Sequence, residues 1–388
     1  MAVKGDNLAQ SRRAAEKVRL GDIVDIIGGG TPSKKREDFY RGAIPWATVR
    51  DMNCDIIKKT EFCITDEAVE NSATNVIPKG EVVISTHVGL GKVCVLGQDT
   101  AINQDLKAII PHQGVFRRYM YYWFCSQADI LIRNGKGATV KGVTLDFVRA
   151  LQIPLPPLPT QRRIAAELDK ICELKKNAER RLEKLDLLVK SRFGEMFGSS
   201  DCAKVTIGEV VDRNIGSAKR AFSSCSKIKY IDISSIDNIR NVVSGCREYV
   251  FSEAPSRAQQ HIQYGDILVS TVRPNLKNVA VTPFKDDNLV ASSGFCVLRA
   301  VRCLPEYLMA VVCSDEFTSA MIKVVNGANY PAIKDSDVLN YVIKLPPINI
   351  QTKFAAFVEK VDKLRVNVRE AVAKMDMLYR SKLQEYFG

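Results

Sequence analysis

The side chains that could do chemistry in this 388-residue chain are few and poorly spaced for catalysis. Histidine occurs three times, as His87, His112 and His261, and none stands near a cysteine or carboxylate at a metal-ligand spacing. The eleven cysteines include no Cys-x-x-Cys pair, so neither a metal site nor a disulfide framework is expected, and the odd count reads as reduced thiols. In "HVGLGKV", His87 to Val93, a Gly-Lys pair suggests a phosphate loop, but Val93 stands where that loop needs Ser or Thr. "GGGTPS" from Gly28 is not framed as G-x-G-x-x-G between a strand and a helix and reads as a glycine turn. Both Pro-Pro pairs follow Leu and precede Leu or Ile, unlike the Asn-Pro-Pro-Tyr or Asp-Pro-Pro-Tyr pattern of amino-methylating enzymes. No nucleophile elbow is visible. The sequence therefore predicts no catalytic residue, no metal and no cofactor: a binding protein.

Composition narrows what is bound. Hydrophobic residues at 46% and charged residues at 26% are globular values. A formal net charge of +12 raises the expectation of a polyanionic partner, nucleic acid ahead of membrane, because lysines and arginines attract phosphates and release their counterions. No window reaches about 18 uninterrupted apolar residues, and the first twenty residues lack the apolar core of a signal peptide. A soluble, cytoplasmic protein without a membrane partner is expected.

The elements that must position any binding residues are written twice. "LPPLPTQRRIAAEL" from Leu155 returns as "LPPINIQTKFAAFV" from Leu345, and residues 153–198 align without a gap on 343–388. Weaker echoes lie between the copies: "VRLGDIVD" and "VTIGEVVD", "IPWATVRDM" and "IKYIDISSI", "IPKGEVVIST" and "IQYGDILVST", "GATV" and "GANY". The chain is a tandem duplication of a variable region followed by a better preserved helix. Runs such as "EVVIST" and "DILVST", broken by turn residues, predict a twisted sheet with long loops in each variable region. After each proline pair, apolar residues recur at three- and four-residue spacing: Ile164, Leu168, Ile171, Leu174, Ala178, Leu182, Leu185 and Leu188, then Phe354, Val358, Val361, Leu364, Val368, Val372, Met375 and Leu378. This seam predicts helices of roughly 30 to 38 residues, about 45 to 57 Å long. The predicted fold is α+β: two globular domains separated by two long helices that pair as an antiparallel coiled coil, an internal tandem repeat with pseudo-twofold symmetry.

This layout, with "GGGTPS", "IPWATVRDM" and the twice-written "LPP...Q...A" helix entrance, resembles the specificity subunit of type I restriction-modification systems. The likeness runs from Val18 to Gly388; Thr160 and Ile350 stand where the family usually has an acidic residue before the glutamine. It implies an N-terminal extension (1–17), a first target-recognition domain (18–152), a spacer helix (153–198), a second target-recognition domain (199–342) and a second spacer helix (343–388). It further implies a non-catalytic subunit that binds double-stranded DNA at a bipartite asymmetric site and docks two copies of a methyltransferase (modification) subunit, with room for a motor or nuclease (restriction) subunit.

A DNA reader needs cations for phosphates and forked or amide side chains on loops that enter a groove. The first variable region offers Thr31, Ser33, Lys34, Lys35 and Arg36, then Arg50, Thr86, His87, Lys92, Asn103, Gln104, Lys136, Thr139 and Lys141. The second offers Lys219, Arg220, Ser234, Thr271, Arg273, Asn275, Lys277, Ser292, Ser293, Asn329, Tyr330 and Lys334. The change from "THVGLGK" to "TVRPNLK" matters most, since two equivalent loops with different side chains would read different bases. Lys34 to Arg36 fits phosphate contact, and Tyr119, Tyr121, Tyr122 and Trp123 are dense enough to be core. The alternative is a two-headed coiled-coil scaffold that binds proteins rather than DNA.

Overall fold

The computed structural model describes residues 16–137, 141–198, 202–325 and 331–388. It forms two compact units: unit 1 ends at Ala178 and takes in Glu370–Gly388, while unit 2 is Glu179–Arg369. Each unit thus contains one variable region, the start of the long helix that follows it and the end of the other long helix.

In unit 1 a five-stranded sheet has the order Val24–Gly28, Leu106–Pro111, Val82–Ser85, Val93–Leu96, Ile56–Ile57. A second, four-stranded sheet runs Phe62–Ile64, Ile44–Ala47, Thr100–Ile102, Asn75–Ile77. Unit 2 repeats both orders. Phe295–Ala300, Ile267–Ser270 and Val279–Val281 are neighbours in its first sheet, and Arg247–Val250, Lys227–Ile231, Leu289–Ser292 and Ala258–His261 in its second. The parallel pairing of Ile44–Ala47 with Thr100–Ile102 returns as Lys227–Ile231 with Leu289–Ser292. A two-stranded sheet closes each region, Lys17–Arg19 with Gln152–Pro154 in one and Ala203–Thr206 with Val342–Leu345 in the other, so each builds three sheets where the sequence predicts one, from strands two to six residues long and broken by turns.

The central strand shows how alternation splits the interior. Val82 and Ile84 point into a core with Tyr119, Trp123 and Leu168, whereas Val83 points into another with Ile57, Leu96 and Ile102. In unit 2, Ile267 and Val269 meet Tyr307, Leu308 and Phe354, whereas Leu268 meets Ile231, Val243 and Phe295. A strand covered on both faces must be apolar at every position, which is why "EVVIST" and "DILVST" lack polar alternation.

The long helices span Leu158–Phe197 and Ile348–Phe387, 40 residues each and about 60 Å long at 1.5 Å per residue. They exceed the predicted length because each continues into an aromatic anchor. In unit 1 the Phe387 ring lies 5.2 Å from Tyr119; in unit 2 the Phe197 ring lies 5.0 Å from Tyr307 and 5.3 Å from Phe354. Within unit 1, Lys175 pairs with Asp376 at 2.6 Å and Lys382 with Glu167 at 3.1 Å. Within unit 2, Arg365 meets Asp186 at 2.7 Å while Phe354 packs on Phe193. In both, numbers rise along one helix as they fall along the other, so the pairing is antiparallel.

The seam is narrower than the apolar spacing predicts. Ile164, Leu168, Ile171, Ala178, Phe354 and Val361 are buried, and Leu182, Leu185, Val358, Val368, Val372 and Met375 are half-buried. Leu174, Leu188, Leu364 and Leu378 stay about half exposed and are removed from the pairing set. Charged neighbours take the interhelical positions beside them in the ion pairs of Lys175 with Asp376 and Arg365 with Asp186. One residue along a helix is a rotation of about 100°, which turns these leucines outward.

The repeated glutamine is a tertiary cap. Gln161 accepts from the backbone N–H of Phe116 at 2.8 Å and donates to the carbonyls of Gly114 and Pro156. Gln351 accepts from the N–H of Leu304 at 2.8 Å and donates to Pro346. Phe116 and Leu304 are the N-caps of Arg117–Ser126 and Pro305–Val312, with no side-chain cap of their own. Each glutamine, buried, thus ties a long helix to a helix of its variable region.

Candidate nucleic-acid interface

Loops from both sheets of unit 1 converge on an open cleft of about 800 Å³. Of the residues singled out from sequence, Thr31, Lys34, Arg50, Asn103 and Gln104 line it, over a floor that includes Trp46. The glycine run makes this convergence possible. A side chain at Gly29 would strike the carbonyl of Ile102 at 2.2 Å, and one at Gly30 the backbone of Ala73 at 2.5 Å. Glycine there lets the 28–33 turn lie against the 103–105 loop, where the Thr31 hydroxyl donates to Gln104 Oε1 and the Trp46 indole to the Gly30 carbonyl. "GGGTPS" is thus a packing turn beside the cleft.

The loops are held by the same bonds in both units. Thr86 donates its N–H and hydroxyl to the Asp105 carbonyl, at 3.0 and 3.3 Å, and accepts from Val143 N–H. Thr271 does the same to Gly294, at 2.9 and 3.0 Å, and accepts from Ile333 N–H. Thr48 and Asp232 each cap the turn after their strand, with the acid placed at Asp51 in one and at Asp232 in the other.

On that frame the candidate residues sort by what they already touch. Thr86, Asn103, Thr271 and Ser292 are buried; the two threonines bond to a neighbouring loop and Asn103 and Ser292 within their own, so we correct their assignment from DNA contacts to frame. Lys92 reaches the Val49 carbonyl and Asn53, and Lys277 pairs with Asp315, whose carboxyl it holds below the ordinary range. Arg36 is engaged by Asp38 at 2.6 Å and Glu67 at 3.0 Å and lies over Phe39, and those carboxylates raise its pKa. Ser234 donates to Asp232 at 2.6 Å. His87 lies 3.2 Å from the Thr86 hydroxyl, a loop histidine. Arg50 is exposed with a 3.4 Å contact to Glu61. Ser33, Lys34, Lys35, Gln104, Lys136, Lys141, Lys219, Arg220, Arg273, Asn275, Ser293 and Lys334 are exposed. Thr139, Asn329 and Tyr330 lie outside the described residues, as does most of the "GATV" and "GANY" pair.

Set side by side, the frames carry different residues. Asn103-Gln104-Asp105 in one stands where Ser292-Ser293-Gly294 stands in the other, and Arg273 belongs to the loop that in unit 1 carries Val88. Arg273 and Lys277 hold φ of 49° and 52°, whereas the left-handed residues of the unit 1 loop are Gly89 and Gly91. Sequence reasoning missed Leu276 in the Arg273 loop and Ile239 and Arg240 in the turn that Asn238 ties to it. The signal was a length difference: four residues separate Met52 from Ile57, whereas six separate Ile236 from Val243.

Comparison with known proteins bears on what these two frames are for. The model of the type I restriction modification DNA specificity domain matches twice, over residues 13–186 and 199–372. The chain is 26% identical over 392 residues to the MjaIX specificity subunit of Methanocaldococcus jannaschii, covering 91% of this chain and 88% of that one. It is 35% identical over 158 residues, 39% of each chain, to the EcoR124I/EcoR124II specificity subunit of Escherichia coli. Among solved structures, a chain from a study of type I R-M assembly and conformational transition gives a TM-score of 0.59 at 19% identity, covering 97% of this chain and 98% of that one. The M. genitalium type I S subunit gives 0.54 at 12%, covering 100% and 98%. With both halves matched in tandem over most of its length, the chain belongs to the type I restriction-modification specificity subunits, built from two DNA specificity domains.

Proposed function

We propose that this chain reads a bipartite, asymmetric DNA site without doing chemistry on it. Residues 18–152 and 199–342 are the target-recognition domains, each addressed to one short half-site, and the intervening bases go unread. The observation that carries this reading is the repeated loop frame with unlike tips. Clamps at Thr86 and Thr271 repeat bond for bond, while Gln104 is replaced by Ser293 and an arginine, Arg273, appears in one loop alone. A common frame with different forked and amide groups is what two different base sequences require, and the +12 charge supplies attraction to phosphates.

Residues 153–198 and 343–388, the spacer helices, dock two methyltransferase subunits that supply the catalytic groups and S-adenosylmethionine. Three exposed apolar pairs, each 190 residues apart, support this: Leu174 and Leu364 (47% and 51% exposed), Leu187 and Met377 (63% and 64%), Leu188 and Leu378 (47% and 46%). Duplication has kept outward apolar side chains at matched places, and repeated apolar exposure marks repeated partner surfaces.

Reconstitution with the modification subunit and mapping of adenine methylation tests both parts. The expected result is one chain to two partners, methylation at a motif with two unlike halves, and no methyl transfer by the chain alone. Leu187→Glu should release one partner, and adding Met377→Glu should release the second. A palindromic or sequence-independent pattern would overturn the bipartite reading, and an intact complex with both substitutions would overturn the docking surfaces.

A further inference from the structure

The second reading frame carries a projection that the first lacks. Its 237–241 turn is two residues longer than its counterpart and its 271–278 loop one residue longer, and the two are tied together. Asn238 donates its side-chain amide to the Leu276 carbonyl at 2.7 Å, and Asn241 donates to Val279 at 3.2 Å. Asp237 accepts from the N–H groups of Ile239 and Arg240 and closes the turn. Among the described residues, the non-glycine residues with positive φ are Asn241, Arg273 and Lys277, all within these two segments. At the apex Ile239 is 86% exposed, with Leu276 at 41% beside it.

A singly exposed apolar residue is ordinary. This one is held out by a turn braced against the 271–278 loop, the loop that carries Arg273 and Asn275, and is followed in the chain by Arg240. Resting on the DNA-reading proposal, we infer that Ile239 is a specificity-determining residue that contacts the 5-methyl group of a thymine in the major groove. Arginine and asparagine read guanine and adenine by hydrogen bonds, whereas thymine differs from the other bases by a methyl group that only an apolar side chain reads favourably. The projection therefore holds the complementary chemistries within one rigid tip.

The test uses the chain assembled with its modification subunits, on duplexes carrying its mapped site, with each thymine of both half-sites replaced singly by deoxyuridine. This removes the methyl and nothing else. Wild type should lose roughly threefold to tenfold in affinity at one position, as loss of one buried methyl group implies, and Ile239→Ala should lose nothing further there. Because Ile239 is nearly fully exposed, the alanine variant keeps the fold, checked by an unchanged unfolding temperature. Indifference of the wild type to every replacement, or an Ile239→Ala loss that is equal on thymine and uracil, would overturn the inference; the last outcome would point to wedging between base steps. A complex without any site preference would instead refute the DNA-reading proposal itself.

Discussion

Arg273 shows how a single residue can carry opposed demands. Its φ of 49° places an L side chain where roughly 1–2 kcal/mol is lost to contact between Cβ and the following carbonyl, and the equivalent loop of unit 1 avoids that cost with Gly89 and Gly91. Arg273→Gly is therefore expected to stabilise unit 2 by about 1 kcal/mol in thermal or urea unfolding. The same variant should relax one base position by about 1–3 kcal/mol in binding. Arg273→Ala should lose the DNA term without the gain in stability. A destabilised glycine variant would show that the guanidinium serves the fold. At this scale residue type was legible in the sequence and burial was not. Thr86 and Thr271 carry hydroxyls suited to a groove, yet both are spent on the carbonyl of a neighbouring loop, a contact between segments far apart in the chain that no local pattern announces. Ile239 failed in the other direction: apolar residues are read as core unless a length difference gives them away.

The elements were legible where the repeat made them so. Two matching entrances and two matching seams announced the paired helices, and the central strands followed from their unbroken apolar runs. The division of each variable region into separate sheets was hidden, because strands such as Ile56–Ile57 are set by long-range pairing with Val93–Leu96 rather than by local propensity. Nor did spacing reveal why a glutamine recurs. Its bonds give the reason: Gln161 must accept from Phe116 N–H and donate to the Pro156 and Gly114 carbonyls at once, which a terminal amide does with its oxygen and its two N–H groups. Gln161→Ala should cost about 1–3 kcal/mol by leaving buried backbone groups unpaired. Gln161→Glu is the sharper variant. Its carboxyl, buried beside carbonyl oxygens, should have a pKa raised above the unfolded value; the native state then holds the extra proton, so stability is greatest in acid and falls as pH rises through the carboxyl range. Unfolding midpoints from pH 4 to 8 check the sign, and a midpoint that rises with pH relative to wild type would contradict the assigned bonding.

At the scale of the whole molecule, chain order and structural membership disagree, and the disagreement is testable. Glu370–Gly388 closes the sequence after the second variable region but belongs to unit 1. There Tyr379, Leu383, Tyr386 and Phe387 pack against the core that holds Tyr119 and Trp123, and Glu167 receives the Lys382 ammonium and the Tyr386 hydroxyl. Likewise Phe197 ends the first long helix but sits in the unit 2 core with Tyr307 and Phe354. Removing Glu370–Gly388 should therefore loosen the end of the chain that was not cut. Hydrogen exchange should show lost protection in Arg117–Ser126, whereas Pro305–Val312 keeps its own, since unit 2 contributes nothing to the deleted segment. Phe387→Ala should repeat the pattern by cavity formation, at about 3–5 kcal/mol, and Phe197→Ala should reverse it, exposing Pro305–Val312 and sparing Arg117–Ser126. Equal loss in both helices from either alanine would mean that the units unfold as one, and protection lost only in the unit next to the cut along the chain would mean that each long helix belongs to the variable region it follows.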